Sequence, residues 1–127
     1  MSVAYVDTSC LVAIAFDESG ASRTATRLRS FDRLFSSNLL EAELRAALKR
    51  ESVEGHPSHL LSWLTWIHPN RSLTAEFDRI MRLGYLEGAD LWHVANALFV
   101  DPDARGLTFL TLDKRQRDVA ARLGFAT

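Results

Sequence analysis

Ala4-Tyr5-Val6-Asp7-Thr8-Ser9 joins an apolar run to a helical pattern and places one carboxylate at the join. Val3 to Val6 has the β-branched and aromatic content of a buried strand, and Leu11, Val12, Ile14, Ala15 and Phe16 continue apolar over helical length. Asp7 is therefore expected at the carboxyl end of a strand. In open parallel α/β sheets ligands bind at that edge, where helix starts and loops converge with free backbone donors. Asp and Thr are also ordinary helix caps, and this stretch taken alone favours capping.

The rest of the composition narrows the class. A chain of 127 residues can bury a real core as one domain, so residues 1–127 read as a single unit without an internal boundary. An apolar share of 47% with 24% charged residues is that of an ordinary globular protein. No stretch approaches a membrane span, and no basic region precedes the first apolar run, so neither an anchor nor a signal peptide is expected. One cysteine, Cys10, rules out an internal disulfide framework and suits a reducing cytoplasm; on an apolar face it reads as a small core residue. A net charge of -1 argues against wholesale electrostatic binding of nucleic acid, though not against a local patch. Arg23, Arg27 and Arg29 form one basic group, Arg45, Lys49 and Arg50 another, and Lys114, Arg115 and Arg117 a third, interleaved with Glu41, Glu51 and Asp118.

Taken in order, the chain alternates strand and helix signals. Asp17-Glu18-Ser19-Gly20 breaks the first helix, and Ala21 to Phe31 resumes one. Leu34 to Ser37 is a short strand, and Asn38 is the expected cap of a helix over Leu39 to Glu51. Gly55-His56-Pro57-Ser58 ends it, and His59 to Trp66 is ambiguous, a short helix running into an edge strand near Trp66-Ile67-His68. Leu73 to Leu86 is amphipathic, and the helix after Asp90 is apolar almost all round to Val100. Leu107 to Leu112 is a second clear strand ending at Asp113, and Val119 to Leu123 completes a helix that Gly124 caps. This alternation predicts an α/β fold: a mainly parallel central sheet with helices on both faces, in three α/β/α layers.

Asp7 and Asp113 each follow a convincing strand, with Thr8 and Thr111 beside them. If the strands are parallel neighbours, the two carboxylates lie roughly 5 Å apart per strand step, close enough to share a cation. Clustered carboxylates raise one another's pKa unless an ion neutralises them. On the helix from Leu39, Glu41 has Arg45 four residues on, whereas Glu43 faces only Ala46 and Ala47 and is the unpaired acid. Asp90 opens an apolar helix, where capping and metal binding are comparable readings. His93 lies one turn on, but Asp-x-x-His lacks partners at zinc spacing, and an all-carboxylate site suits magnesium or manganese.

Val6 to Ala13 (Val-Asp-Thr-Ser-Cys-Leu-Val-Ala), Ala42-Glu43-Leu44, Ala89 to Leu98 and Leu110-Thr111-Leu112-Asp113-Lys114 together resemble the PIN-domain nucleases. More narrowly they resemble the VapC-type ribonuclease toxins of prokaryotic toxin–antitoxin pairs. The resemblance implies a PIN-like fold whose four acids fall on Asp7, Glu43, Asp90 and Asp113, with a metal-side hydroxyl on Thr8 or Thr111. It further implies Mg²⁺ or Mn²⁺, RNA as substrate, a small VapB-like antitoxin docking across the site, and a homodimer. Arg115-Gln116-Arg117 stands where related proteins often carry another acid or aromatic residue, which bears on whether Asp113 meets the metal directly. Arg45 or Arg50 is the expected holder of flanking phosphates. Two other classes stay open. A haloacid-dehalogenase-like phosphatase needs Asp-x-Asp, and Ser9 stands at its second acid. A catalytically inactive PIN-like scaffold that binds protein or RNA would not need the four acids.

Overall fold

The structure, a computed structural model, describes residues Met1–Thr127. Four strands make one sheet: β1 (Val3–Val6), β2 (Arg33–Ser37), β3 (Leu64–Ile67) and β4 (Leu107–Leu110). They are all parallel and lie in the order β3-β2-β1-β4. The helices between them are α1 (Thr8–Ala15), α2 (Ala21–Arg29), α3 (Leu39–Arg50), α4 (Ser58–Leu61), α5 (Thr74–Met81), α6 (Gly88–Val100) and α7 (Lys114–Leu123). Parallel neighbours cannot be joined by a tight turn, so every connection carries helix. From β1 the chain builds outward through β2 to β3, then returns past β1 to lay down β4 on the other side. The reversal leaves a crevice at the carboxyl ends of β1 and β4, the position at which open α/β sheets bind ligands.

Strand alternation sorts the core into two layers. Tyr5 and Phe109 point to one face, where their rings stack at 5.3 Å and pack with Ile80, Val94, Leu98 and Val119 under α5, α6 and α7. Ala4, Val6 and Leu110 point to the other, against Leu11, Leu28, Leu40 and Leu44 of α1, α2 and α3. The three-layer α/β/α arrangement read from the sequence is the one observed. Beyond β4, the Phe109 N–H donates to the Ala126 carbonyl at 2.8 Å, so Ala126 adds a one-residue parallel bridge opposite Thr108.

Several expected boundaries move, each for a local reason. β4 stops at Leu110 instead of Leu112, because the Leu112 N–H leaves the ladder and donates to Ser9 Oγ at 3.0 Å. The ambiguous segment resolves into α4 and then β3, which starts earlier than the expected edge strand. Helix α5 ends at Met81, short of Leu86, and the turn that follows passes close to α7. There the Leu83 carbonyl accepts from Arg122 at 2.8 Å, and a Cβ on Gly84 would meet Val119 at 3.0 Å. Asn38 occupies the cap position of α3 without capping it; Ser37 Oγ accepts the Leu39 N–H at 3.1 Å instead. Gly124 ends α7 in the left-handed conformation, φ 109°, as its place after Leu123 predicts.

Candidate functional site

The crevice between β1 and β4 is built around Asp7, whose own N–H continues the ladder to the Leu110 carbonyl at 2.9 Å. Asp7 caps α1 and also faces the crevice. Its Oδ2 accepts the Ser9 N–H at 3.2 Å, which satisfies an orphan donor of α1. The same oxygen faces the Thr111 hydroxyl at 3.1 Å, and Oδ1 lies 3.5 Å from the Gln116 amide and 3.8 Å from His93 Nε2. Asp7 is only 4% exposed, yet no lysine or arginine pairs with it. Thr111 has one hydroxyl proton to share between Asp7 and Gln116 Oε1, the latter at 2.8 Å, while its oxygen accepts the Asp113 N–H at 3.0 Å. Ser9 Oγ sits 3.3 Å from Thr111 and holds the turn after β4 in place.

Glu43 reaches the crevice from α3 and is positioned by a buried chain of hydrogen bonds. Tyr5 Oη accepts the Ser37 N–H at 3.1 Å, so its own proton is free to go to His93 Nδ1 at 2.6 Å. That assigns the imidazole proton to Nε2, which faces Glu43 Oε1 at 2.8 Å. The Thr8 hydroxyl donates to the same oxygen at 2.7 Å. Burial alone would push the Glu43 carboxyl up, but the hydrogen bonds from His93 and Thr8 hold it below its ordinary value. Burial also raises the Tyr5 phenol far above its ordinary value, against the hydrogen bond from Ser37, so the ring stays neutral. His93, which lacks partners at zinc spacing, is thus a fully buried support for Glu43.

Asp90 and Asp113 complete the acid group. Asp90 lies in the first turn of α6 and is no cap; the cap position is held by Glu87. Asp113 follows β4 and caps α7, its Oδ1 accepting the Gln116 N–H at 2.8 Å. Gln116 is the residue that sequence reasoning missed. Wholly buried, it also directs its amide toward Asp7 and toward the Asp90 carbonyl at 3.3 Å. The only signal for it was Asp113-x-x-Gln116, the spacing of a helix capping box. Asp90 and Asp113 share an open cleft of about 340 Å³ with Glu87, Lys114 and Arg115.

Charge at this edge is unbalanced. Partial burial pushes the Asp90 carboxyl up to about 6, and the Asp7, Asp113 and Glu43 carboxylates add to the rise while His93 opposes it. The four predicted acids therefore feel one another across one sheet edge. As they stand, no three His, Cys, Asp or Glu side chains close on a common point. The donor set nevertheless fits a hard divalent cation: it is all carboxylate oxygen, and none of Asp7, Asp90 and Asp113 makes an ion pair with a lysine or arginine. The expected phosphate holders fare differently. Arg45 pairs with Glu41 at 2.7 Å and Arg50 with Glu51 at 2.9 Å, both on the surface. Cys10 is buried and its thiol is pushed up to about 12 by burial and by Asp7, in keeping with a core role.

No helix is long and apolar enough to cross a membrane. No curated protein and no solved structure matches the chain. A family model described as the PIN domain matches residues 4–122, which takes in the strand before Asp7, the acid of α3, the acid of α6 and the turn after β4. With that match over nearly its whole length, the chain belongs to the PIN-domain family, whose members are in general nucleases.

Proposed function

We propose that this protein is a metal-dependent endoribonuclease of the VapC toxin type, restrained by a small cognate antitoxin. The observation that carries the reading is the placement of Asp7, Asp90 and Asp113 after β1, at the start of α6 and after β4 of a PIN domain, with the Asp90 carboxyl raised to about 6 by burial and by the Asp7, Asp113 and Glu43 charges. Asp7, Glu43, Asp90 and Asp113 would hold one or two Mg²⁺ or Mn²⁺ ions. A divalent ion bound there supplies a nucleophilic water near neutral pH and offsets the charge that builds on a phosphodiester under attack.

The chain's own part is positioning. Ser9, Thr111 and Gln116 fix both oxygens of Asp7. His93 and Thr8 both bind Glu43 Oε1, which leaves Oε2 for the cleft. Gln116 ties Asp113, Asp7 and the start of α6 together, so the acids stay aligned while their charges repel. No protein nucleophile is needed. The antitoxin and the homodimer rest on the likeness to VapC-type toxins and the cytoplasmic setting on the single cysteine, and Asp113 acts directly or through a water in this reading.

Incubating the purified protein with total RNA, with manganese and with EDTA, tests the proposal. Cleavage is expected only with the metal, and Asp7→Asn should lower it by on the order of 10²-fold or more. Full activity of Asp7→Asn would refute the metal site, and RNA binding without cleavage under any divalent ion would assign the protein to the non-catalytic scaffolds.

A further inference from the structure

A second cleft adjoins the acids on the α2 side, with a volume of about 320 Å³. Arg23, Thr24 and Arg27 of α2 line one wall, and Thr111 and Arg117 line the other. Its lining includes three guanidinium groups and no carboxylate. None of the molecule's ion pairs involves these arginines, in contrast to Arg45, Arg50 and Arg71. Arg117 is held in place by the Thr111 carbonyl, which accepts from Nη2 at 3.1 Å.

The charge is uncompensated within α2 as well. Arg23 and Arg27 are four residues apart on one face of a helix with no acidic residue in it, an arrangement that costs helix stability unless an anion is present. The helix also starts at Gly20 without a side-chain cap, which leaves the positive end of its dipole at the rim of the cleft. Arg27, Arg117 and the buried Cys10 line the same cleft. The cleft and the acid site share a wall: Thr111 lines the one and faces Asp7 at 3.1 Å in the other.

We propose that Arg23, Arg27 and Arg117 seat a backbone phosphate of single-stranded RNA, next along the strand from the phosphodiester that lies over the acids. This deepens the nuclease reading and rests on it for the identity of the strand. Planar guanidiniums suit the task, since they bind phosphate oxygens in pairs and stay charged. The site also supplies what the near-neutral whole chain does not, a local anion sink that sets the direction in which RNA crosses the acids.

The test measures binding of a fluorescein-labelled single-stranded RNA oligonucleotide by anisotropy, in EDTA so that nothing is cleaved, across a salt series. The double variant Arg23→Gln/Arg27→Gln and the single variant Arg117→Gln are compared with Arg50→Gln, which removes one positive charge outside the cleft. The cleft variants are expected to bind about tenfold more weakly. Their log–log salt slope should fall by about 0.7 for the lost phosphate contact, with Arg50→Gln near wild type. The double variant should melt no lower than wild type, because it removes a like-charge pair, whereas a merely structural pair of arginines would lower the melting point. Affinity and slope equal to those of Arg50→Gln would overturn the proposal, as would lost affinity with an unchanged slope. Retained RNA binding with lost binding of a protein partner would assign the arginines to that partner and also overturn it. Cleavage by wild type in manganese is scored separately, so a failed cleft and a failed nuclease give different results.

Discussion

Replacing Asp90 by Asn should make the metal-free protein more stable at neutral and alkaline pH and leave it unimproved in acid. The Asp90 carboxyl is raised from 3.8 to about 6 by burial and by Asp7, Asp113 and Glu43. At about 1.4 kcal/mol per pH unit this amounts to about 3 kcal/mol, and partial exposure screens it to about 1–2 kcal/mol. The direction follows from linkage: a carboxyl raised in the folded state contributes stability that is complete below its unfolded pKa and is lost as pH climbs through about 6. Asn keeps the shape of the protonated acid at every pH. Its advantage over Asp90 should therefore grow between about pH 4 and pH 6 and level off above, reaching about 4–8 °C in melting temperature. Differential scanning fluorimetry in EDTA at about pH 4 and pH 8 measures it. Added manganese should reverse the ranking, raising wild type more than the variant, since a bound ion stabilises the state that holds it. A variant that melts lower than wild type at the higher pH, or an equal gain at both, would refute the account of charge crowding.

Two supporting residues give further outcomes. Tyr5→Phe deprives the Ser37 N–H of its acceptor and His93 Nδ1 of its donor, and should cost about 1–3 kcal/mol in urea denaturation followed by circular dichroism. Gln116→Leu removes the amide that faces Asp7 and the Asp90 carbonyl; manganese-dependent cleavage should fall about 10–100-fold, less than for Asp7→Asn in the same time course.

The parts of the site that follow strands were legible from the sequence. Val3 to Val6 and Leu107 to Leu110 are short β-branched and aromatic runs, each ending near an Asp, and two such strands in a parallel sheet must present those acids on one edge. Glu43 was legible by elimination, because Glu41 pairs with Arg45 within its own helix. Periodicity failed where a polar residue is buried for its hydrogen bonds. His93 stands in a helix that is apolar almost all round, and nothing in its neighbours along the chain announces Tyr5 on one side and Glu43 on the other. Gln116 was hidden for the same reason. Which arginines make ion pairs was also invisible, since Arg45 and Arg50 pair with Glu41 and Glu51, while the sheet order brings Arg117 into one cleft with Arg23 and Arg27. The strand after Arg105 looked two residues longer because Thr111 and Leu112 keep strand-like composition while bonding to Gln116 and Ser9.

The bridge at Ala126 bears on how the protein behaves in a crowded solution. An outer strand of a parallel sheet exposes backbone donors and acceptors to which a stranger's extended segment can anneal. On the β4 side that invitation is withdrawn: Ala126 takes the Phe109 N–H, and Phe125, 4% exposed, is anchored with its ring 6.3 Å from that of Phe109. The opposite rim, β3, is equally short, four residues, and has no such added bridge. Residues 125 and 126 thus act as a selvedge on that rim, and a cut just after Leu123 would leave all the acids in place beside an unpaired Phe109 N–H.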